Sequence, residues 1–288
     1  MKKLLTIIML VLAACGSAFG WGREGHEIIA KIADNNLKPS VKKEVEKCLG
    51  DRSIVYYAKW MDDYRHTPTY KFTTKWHVVN VDENLKYFPD EKSGDAIIGL
   101  QQAIEALKNR KELSDSAVAV NLKYIIHLVA DMHCPGHIYY KGRNQNFEVN
   151  FGGGYVKPQL KSKIHTVWDA YAIQATRIWS VSEYAEELDR ASAKEKKAIV
   201  AGTPVEWLEQ EAQRCLFQFD LAQPGQTLAQ DFVNEAMPLL ETQMLIAGYR
   251  LAALLNSICV SRRGIASFTK SCARVCPGCA RSNWKRHR

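Results

Sequence analysis

Apolar residues recur at helical spacing over much of the chain. Ile28, Ile29 and Ile32 form one stripe, Leu100, Ile104 and Leu107 a second, and Leu122, Ile125, Ile126 and Val129 a third. A period near 3.6 residues puts such positions on one face of a helix, so amphipathic helices packed through these faces are predicted. The segment from Trp207 to Cys215 and the long stretch from Phe232 to Asn256 continue the pattern, with Leu240, Met244, Ala247, Leu251 and Leu255 on one side. The predicted fold is dominated by helix.

One interruption stands out. From Gly142 to Gly154, Phe147, Val149 and Phe151 alternate with polar residues and three glycines follow, which predicts a short hairpin or loop. No fixed-period repeat and no low-complexity linker divides the chain, so residues 21–256 are read as one domain. A length of 288 residues and 47% hydrophobic content are enough to bury a sizeable core.

The N-terminus runs Met1, Lys2, Lys3, an apolar run from Leu4 to Ala14, then small residues to Gly20, the layout of a secretory signal. Two cleavage readings compete. Ala18, Phe19, Gly20 fits a small-x-small site before Trp21, and this is preferred; Leu12, Ala13, Ala14, Cys15 resembles a lipoprotein box, which would anchor the chain at Cys15. Export is expected in either case, and cutting after Gly20 gives Trp21 a free α-amine.

The formal charge of +8 changes meaning once it is located. Setting aside Lys2, Lys3 and the eight basic residues from Arg262 to Arg288, 29 basic residues face 31 acidic ones. The body is slightly acidic, so net charge does not support a DNA-binding groove there. Any attraction for phosphate must come from local groups or bound metal. Of the eight cysteines, Cys259, Cys272, Cys276 and Cys279 crowd a basic tail over 257–288, and Cys48, Cys134 and Cys215 are scattered. That spread does not describe a disulfide scaffold. The tail reads as an appendage whose cysteines could bind metal, pair, or be chain beyond the domain's normal end.

Chemistry is concentrated in His127, Asp131, His133 and His137. Residues four apart share a helix face, so the His127 imidazole and the Asp131 carboxylate can converge on one cation. Pro135 and Gly136 end that helix and let His137 turn back. A second HxxxD pair is His165 and Asp169. One such pair alone is more often an ordinary helix-surface hydrogen bond; two pairs plus His137 point to metal, and neutral imidazole with carboxylate is a usual zinc donor set. His133 reads as a neighbour rather than a ligand, and His66 as a polar loop residue. Asp62, His77 and His26 are weak signals singly.

Taken in order, Trp21 with His26, WMDDYR from Trp60, WHVVN from Trp76, HLVADMHCPGH from His127, Gly142 and Asn144, IHTVWD from Ile164 and GYRLA from Gly248 closely resemble the zinc-dependent single-strand nucleases called nuclease S-one and nuclease P-one. The resemblance runs from Trp21 to about Asn256. It implies an all-α domain, related in fold to bacterial zinc phospholipases C, with three zinc ions in a cleft. By its motifs, Asp62, His77, His127 and Asp131 would hold one zinc, and His137, His165 and Asp169 a second. Trp21 and His26 would hold the third, with Asp131 bridging.

The activity implied is cleavage of single-stranded DNA and RNA to 5′-phosphate products, with 3′-nucleotidase action. Asp62 and Asp131 would serve catalysis through the metal. Arg65 would neutralise charge at the phosphate or else form a surface ion pair with Asp62 or Asp63. Asn80 and Asn144 would contact substrate. Departures exist: Val78 stands where the family stacks a base on an aromatic ring, and Asn80 where an aspartate reads the base. A lipid phosphodiesterase and a zinc-stabilised secreted binding protein are the alternatives. A monomer is expected.

Overall fold

A computed structural model describes residues 21–152, 160–176 and 178–260. The leader and the tail beyond Val260 lie outside these residues.

Eleven helical segments build the body among the described residues. They are α1 (Arg23–Asn35), α2 (Pro39–Cys48), α3 (Trp60–Tyr64), α4 (Ala96–Lys108), α5 (Asp115–Asp131), α6 (164–176), α7 (Val181–Leu188), α8 (Ala193–Ile199), α9 (Pro204–Cys215), α10 (Gln218–Leu221) and α11 (Gln230–Val260). Their starts follow local chemistry. Ser180, Ser192 and Thr203 cap α7, α8 and α9 by accepting from the backbone N–H three residues on, and Glu183, Glu195 and Glu206 reach back to the cap. These capping boxes satisfy N–H groups that a helix end leaves open. Asp95 does the same for α4 through Ile98 N, and Ser114 for α5 through Ala117 N.

The long helix α11 is the spine. It lies along α1 and also touches α2, α5 and α6, while α4 packs on α5. The stripe of Leu240, Met244, Ala247, Leu251 and Leu255 is fully buried, as its period requires. Gly248 permits a close approach of α11 to α1: a Cβ there would meet Ile32 Cγ2 at 2.5 Å. The helix continues past Asn256 to Val260. No described helix is long and apolar enough to cross a membrane.

Strands are few and short. β1 (Val79–Val81) pairs in parallel with β2 (Ile138–Tyr140), setting Asn80 beside Tyr139. β3 (Glu148–Phe151) pairs antiparallel with β4 (Leu160–Lys163) and in parallel with β5 (Thr227–Leu228). The alternation read between Gly142 and Gly154 is therefore real, with Val149 and Phe151 buried. The second arm of the hairpin begins beyond that window, at Leu160. Cys48, Cys134 and Cys215 form no disulfide.

Candidate metal centre

The last turns of α5 are buried on every side: Ile125, Ile126, Leu128, Val129 and Ala130 are all at most 1% exposed. Two polar side chains on that helix, His127 and Asp131, are equally buried and lie four residues apart. Pro135 then opens a single 3-10 turn, Pro135–His137. Its ring fixes φ and removes an N–H, which stops the helix and turns His137 back. Asp62 comes from α3, and His77 immediately precedes the strand region. In α6 the turn Val167–Tyr171 is a π turn between Ile164–Thr166 and Ala172–Thr176. Such wide turns are frequent at functional sites, and this one carries Asp169.

The donors converge on Asp131. Its Oδ2 lies 2.9 Å from His77 Nδ1 and 3.1 Å from His127 Nε2, and its Oδ1 lies 3.4 Å from both His26 Nε2 and His137 Nδ1. Asp62 Oδ1 approaches His77 at 3.6 Å and His127 at 3.8 Å. On the far side, His137 Nε2 is 3.3 Å from Asp169 Oδ1, and His165 Nε2 is 3.1 Å from Asp169 Oδ2. His137 thus links two carboxylates. Donor atoms around a zinc with bonds of about 2.1 Å stand about 3.4 Å apart, which is the spacing seen here.

Among the described residues, three groups place their donor atoms within 4.8 Å of one another: His26, Asp62 and His127; His77, His127 and Asp131; and Cys134, His137 and Asp169. Both ring nitrogens of His26 and both oxygens of Asp62 are buried without a hydrogen bond. Unpaired buried polar atoms are costly, and a cation repays that cost directly. The hydrogen bonds that do exist orient rings towards the cluster. His127 Nδ1 donates to Ala58 O at 2.8 Å and His165 Nδ1 to Gly136 O at 2.8 Å, so each directs Nε2 inward in a tautomer assigned from these bonds. The residues present therefore fit a group of divalent cations.

Burial and charge oppose one another in the cluster. Burial lowers His77 to about 4 and lowers His26 as well. His137 is raised to about 9, because the Asp169 and Asp131 charges overcome its burial. Asp131 is held well below the carboxylate range despite burial, by His127 and His137, and Asp169 is lowered by His165 and His137. Carboxylates held ionised are ready donors for a metal.

The structure brings eight of the nine residues expected to bear metal, His26, Asp62, His77, His127, Asp131, His137, His165 and Asp169, into one connected set of contacts. Trp21 is fully buried at the edge of the cluster, its indole N–H donating to Ala130 O at 2.8 Å while Gly22 N donates to Asp169 O at 2.7 Å. Arg65 is buried, with NH1 3.6 Å from Asp62 Oδ1, so its ion pair is an interior one rather than a surface one. Asn80 sits on β1, half-buried. Asn144 is exposed on the following loop, and its side chain accepts from Asn146 N at 3.3 Å. His66 is exposed.

His133 belongs to a different set of contacts. Its Nδ1 donates to Val129 O and its Nε2 accepts from Arg250, away from the carboxylates of the cluster. The sequence reading missed Cys134, whose Sγ lies 3.0 Å from Asp169 Oδ1. Its place between His133 and Pro135 was the available signal. Burial and the nearby Asp169 charge push this thiol well above its usual range.

A helical body enclosing a shared aspartate and histidine cluster is the layout of a metal-binding protein. The model of the S1/P1 Nuclease family matches residues 21–260. Nuclease S1 of Aspergillus oryzae is 26% identical over 90% of this chain and 98% of its own length. Endonuclease 4 of Arabidopsis thaliana is 24% identical over 88% and 94%. Nuclease P1 of Penicillium citrinum is 27% identical over 54% and 58%. The chain belongs to the S1/P1 nuclease family, whose members are zinc-dependent hydrolases of phosphodiester bonds.

Proposed function

We propose that this chain is an exported zinc nuclease that cleaves single-stranded DNA and RNA to 5′-phosphate products and removes phosphate from 3′-nucleotides. Family membership supports the reaction class. The observation that carries the reading is the Asp131 carboxylate, which has two imidazoles within reach of each oxygen.

Three zinc positions suit these donors. Asp62, His77, His127 and Asp131 would hold one; His137, His165 and Asp169 a second; Trp21, His26 and Asp131 a third. Zinc so held would lower the pKa of an attacking water and offset charge on the phosphate. Asp131 would serve two of the positions, one through each oxygen. His127 and His165 hold their rings by donation to Ala58 and Gly136. Arg65 brings a buried cation beside Asp62, where it stabilises negative charge as phosphorus becomes pentacovalent. Asn80 and Asn144 act on the substrate side.

The test is zinc content and hydrolysis of single-stranded DNA on one purified sample, for the natural chain and for Asp131→Asn. About three zincs per chain with hydrolysis, both falling in the variant, supports the reading. Full hydrolysis by Asp131→Asn would sink it.

A further inference from the structure

A residue that precedes proline is pushed towards extended backbone. Cys134, with φ −78° and ψ 126°, follows this rule ahead of Pro135. Its N–H donates to Asp131 O at 3.0 Å, and its carbonyl accepts from His137 N at 3.0 Å. The backbone thus fixes Cys134 midway between two expected ligands, and its side chain is fully buried.

Gly136 then lets this turn lie close against α6. A Cβ there would meet His165 O at 3.3 Å, His165 Nδ1 at 3.4 Å and Asp169 Oδ1 at 3.5 Å, so a larger residue would press on both expected ligands. With glycine in that place, Asp169 Oδ1 stands 3.0 Å from Cys134 Sγ and 3.3 Å from His137 Nε2. Sulfur, imidazole and carboxylate donors from these three residues lie within 4.8 Å of one another.

A second observation calls for a cation at this spot. Asp169 is 1% exposed, and its Oδ2 is buried without a hydrogen bond. The atom facing it at 3.1 Å is Nε2 of His165. That ring carries its proton on Nδ1, which donates to Gly136 O, so two acceptor atoms confront each other. A positive charge shared by both turns this repulsion into attraction.

Cys215 shows how an ordinary core cysteine of this chain differs. It is equally buried, yet its Sγ accepts from Gln243 Nε2 at 3.3 Å and joins none of the donor groups among the described residues. Neither cysteine forms a disulfide.

We propose that the Cys134 sulfur is a protein donor to the zinc position of His137, His165 and Asp169, bound there as a thiolate. The proposal rests on the zinc-centre reading and adds a fourth donor to a position that the motifs leave with three. On binding, the S–H bond breaks, its electron pair forms the sulfur–metal bond, and the proton passes to the buffer. A thiolate is a soft donor that suits zinc and cadmium, whereas magnesium, calcium and manganese favour oxygen. This position should therefore be the most selective of the three for its ion.

Cobalt(II) reports sulfur ligation through an intense near-ultraviolet charge-transfer band that nitrogen and oxygen donors do not give. Serine replaces Cys15, Cys259, Cys272, Cys276 and Cys279 in every full-length sample, so that neither end of the chain contributes a thiol. This parent, with Cys134→Ser and Cys215→Ser made in it, is stripped with chelator and reloaded with cobalt(II). Cobalt content is measured by mass spectrometry and folding by circular dichroism. The parent and Cys215→Ser should show the band, and Cys134→Ser should lose it while remaining folded. Cadmium affinity in Cys134→Ser should fall by more than the about 10- to 100-fold expected when only a ligand's hydrogen-bond partner is lost. Cobalt uptake by the parent without the band, or a band that survives in Cys134→Ser, would overturn the thiolate and leave the zinc-centre reading intact. A parent that takes up no cobalt would overturn both.

Discussion

The Arg250 guanidinium donates to Nε2 of His133 at 2.8 Å, tying the last helix to the loop between Asp131 and His137. The same group donates to Glu211, to Gln210 Oε1 at 2.6 Å and to Ile199 O at 3.0 Å, and stacks over Trp207. His133 in turn donates from Nδ1 to Val129 O and is held neutral, lowered to about 4 by burial and by Arg250. Gln243 Nε2 donates to the carbonyl of His133 at 2.8 Å. The loop that bears two metal donors is thus fixed from behind.

Replacing Arg250 by Met should therefore destabilise the chain by about 3–5 kcal/mol, because Glu211 is left buried with half its compensation gone. Adding Glu211→Leu should recover part of the loss, since an apolar pair leaves no orphan charge. Denaturant unfolding of the single and double variants measures both. A single variant as stable as the natural chain would show that Arg214, which also pairs with Glu211, suffices.

Chelation should lower thermal stability as well as activity. Three buried aspartates and five buried or nearly buried imidazoles share one volume, and cations bound only by the folded chain stabilise it by mass action. The effect is about 2.7 kcal/mol per site at a hundredfold excess of free metal over its dissociation constant. Melting curves with zinc, with chelator, and with zinc restored should move down and back. A melting point indifferent to chelator would mean that the donors hold no ion.

Gly248→Ala tests the contact of α11 with α1. Its Cβ would sit 2.5 Å from Ile32 Cγ2 and 3.2 Å from Ile29 O, so one helix must move. Overpacking of this kind costs about 1–3 kcal/mol. Since α1 also carries His26, zinc affinity should weaken with stability, which calorimetric titration can read.

Asp189 governs an acid-sensitive junction away from the metal. Its carboxylate accepts from Lys196, Tyr249 and Asn36, which hold its pKa below the ordinary value although burial pulls upward. A depressed folded pKa means stability present above the unfolded value, about 3.9, and lost as pH falls through the folded one. The stability gap between the natural chain and Asp189→Asn should therefore be full near neutrality and close below about pH 4. A gap independent of pH would contradict this.

The helices α1, α4, α5, α9 and α11 were legible because their apolar positions recur at helical spacing, whereas short ones such as Trp60–Tyr64 and Gln218–Leu221 have too few turns to show a stripe. The HxxxD pairs were legible for the same reason, since helix geometry alone puts His127 with Asp131. The strands Val79–Val81 and Ile138–Tyr140 were not, because three residues are too few to display alternation. Glu211 reads as a solvated helix residue, yet it is fully buried, paired with an arginine 39 positions away. Polarity in one letter does not disclose such a partner.

The cluster gathers donors from His26 through Asp169, and the loop beneath it is secured by Arg250. Contacts so distant in sequence form late, because each closes a long loop before any local gain is made. The centre is consequently assembled by the finished topology and cannot nucleate it. Zinc supplied during refolding should slow unfolding far more than it speeds folding, and an ion taken up by this chain reports that its whole path has been completed.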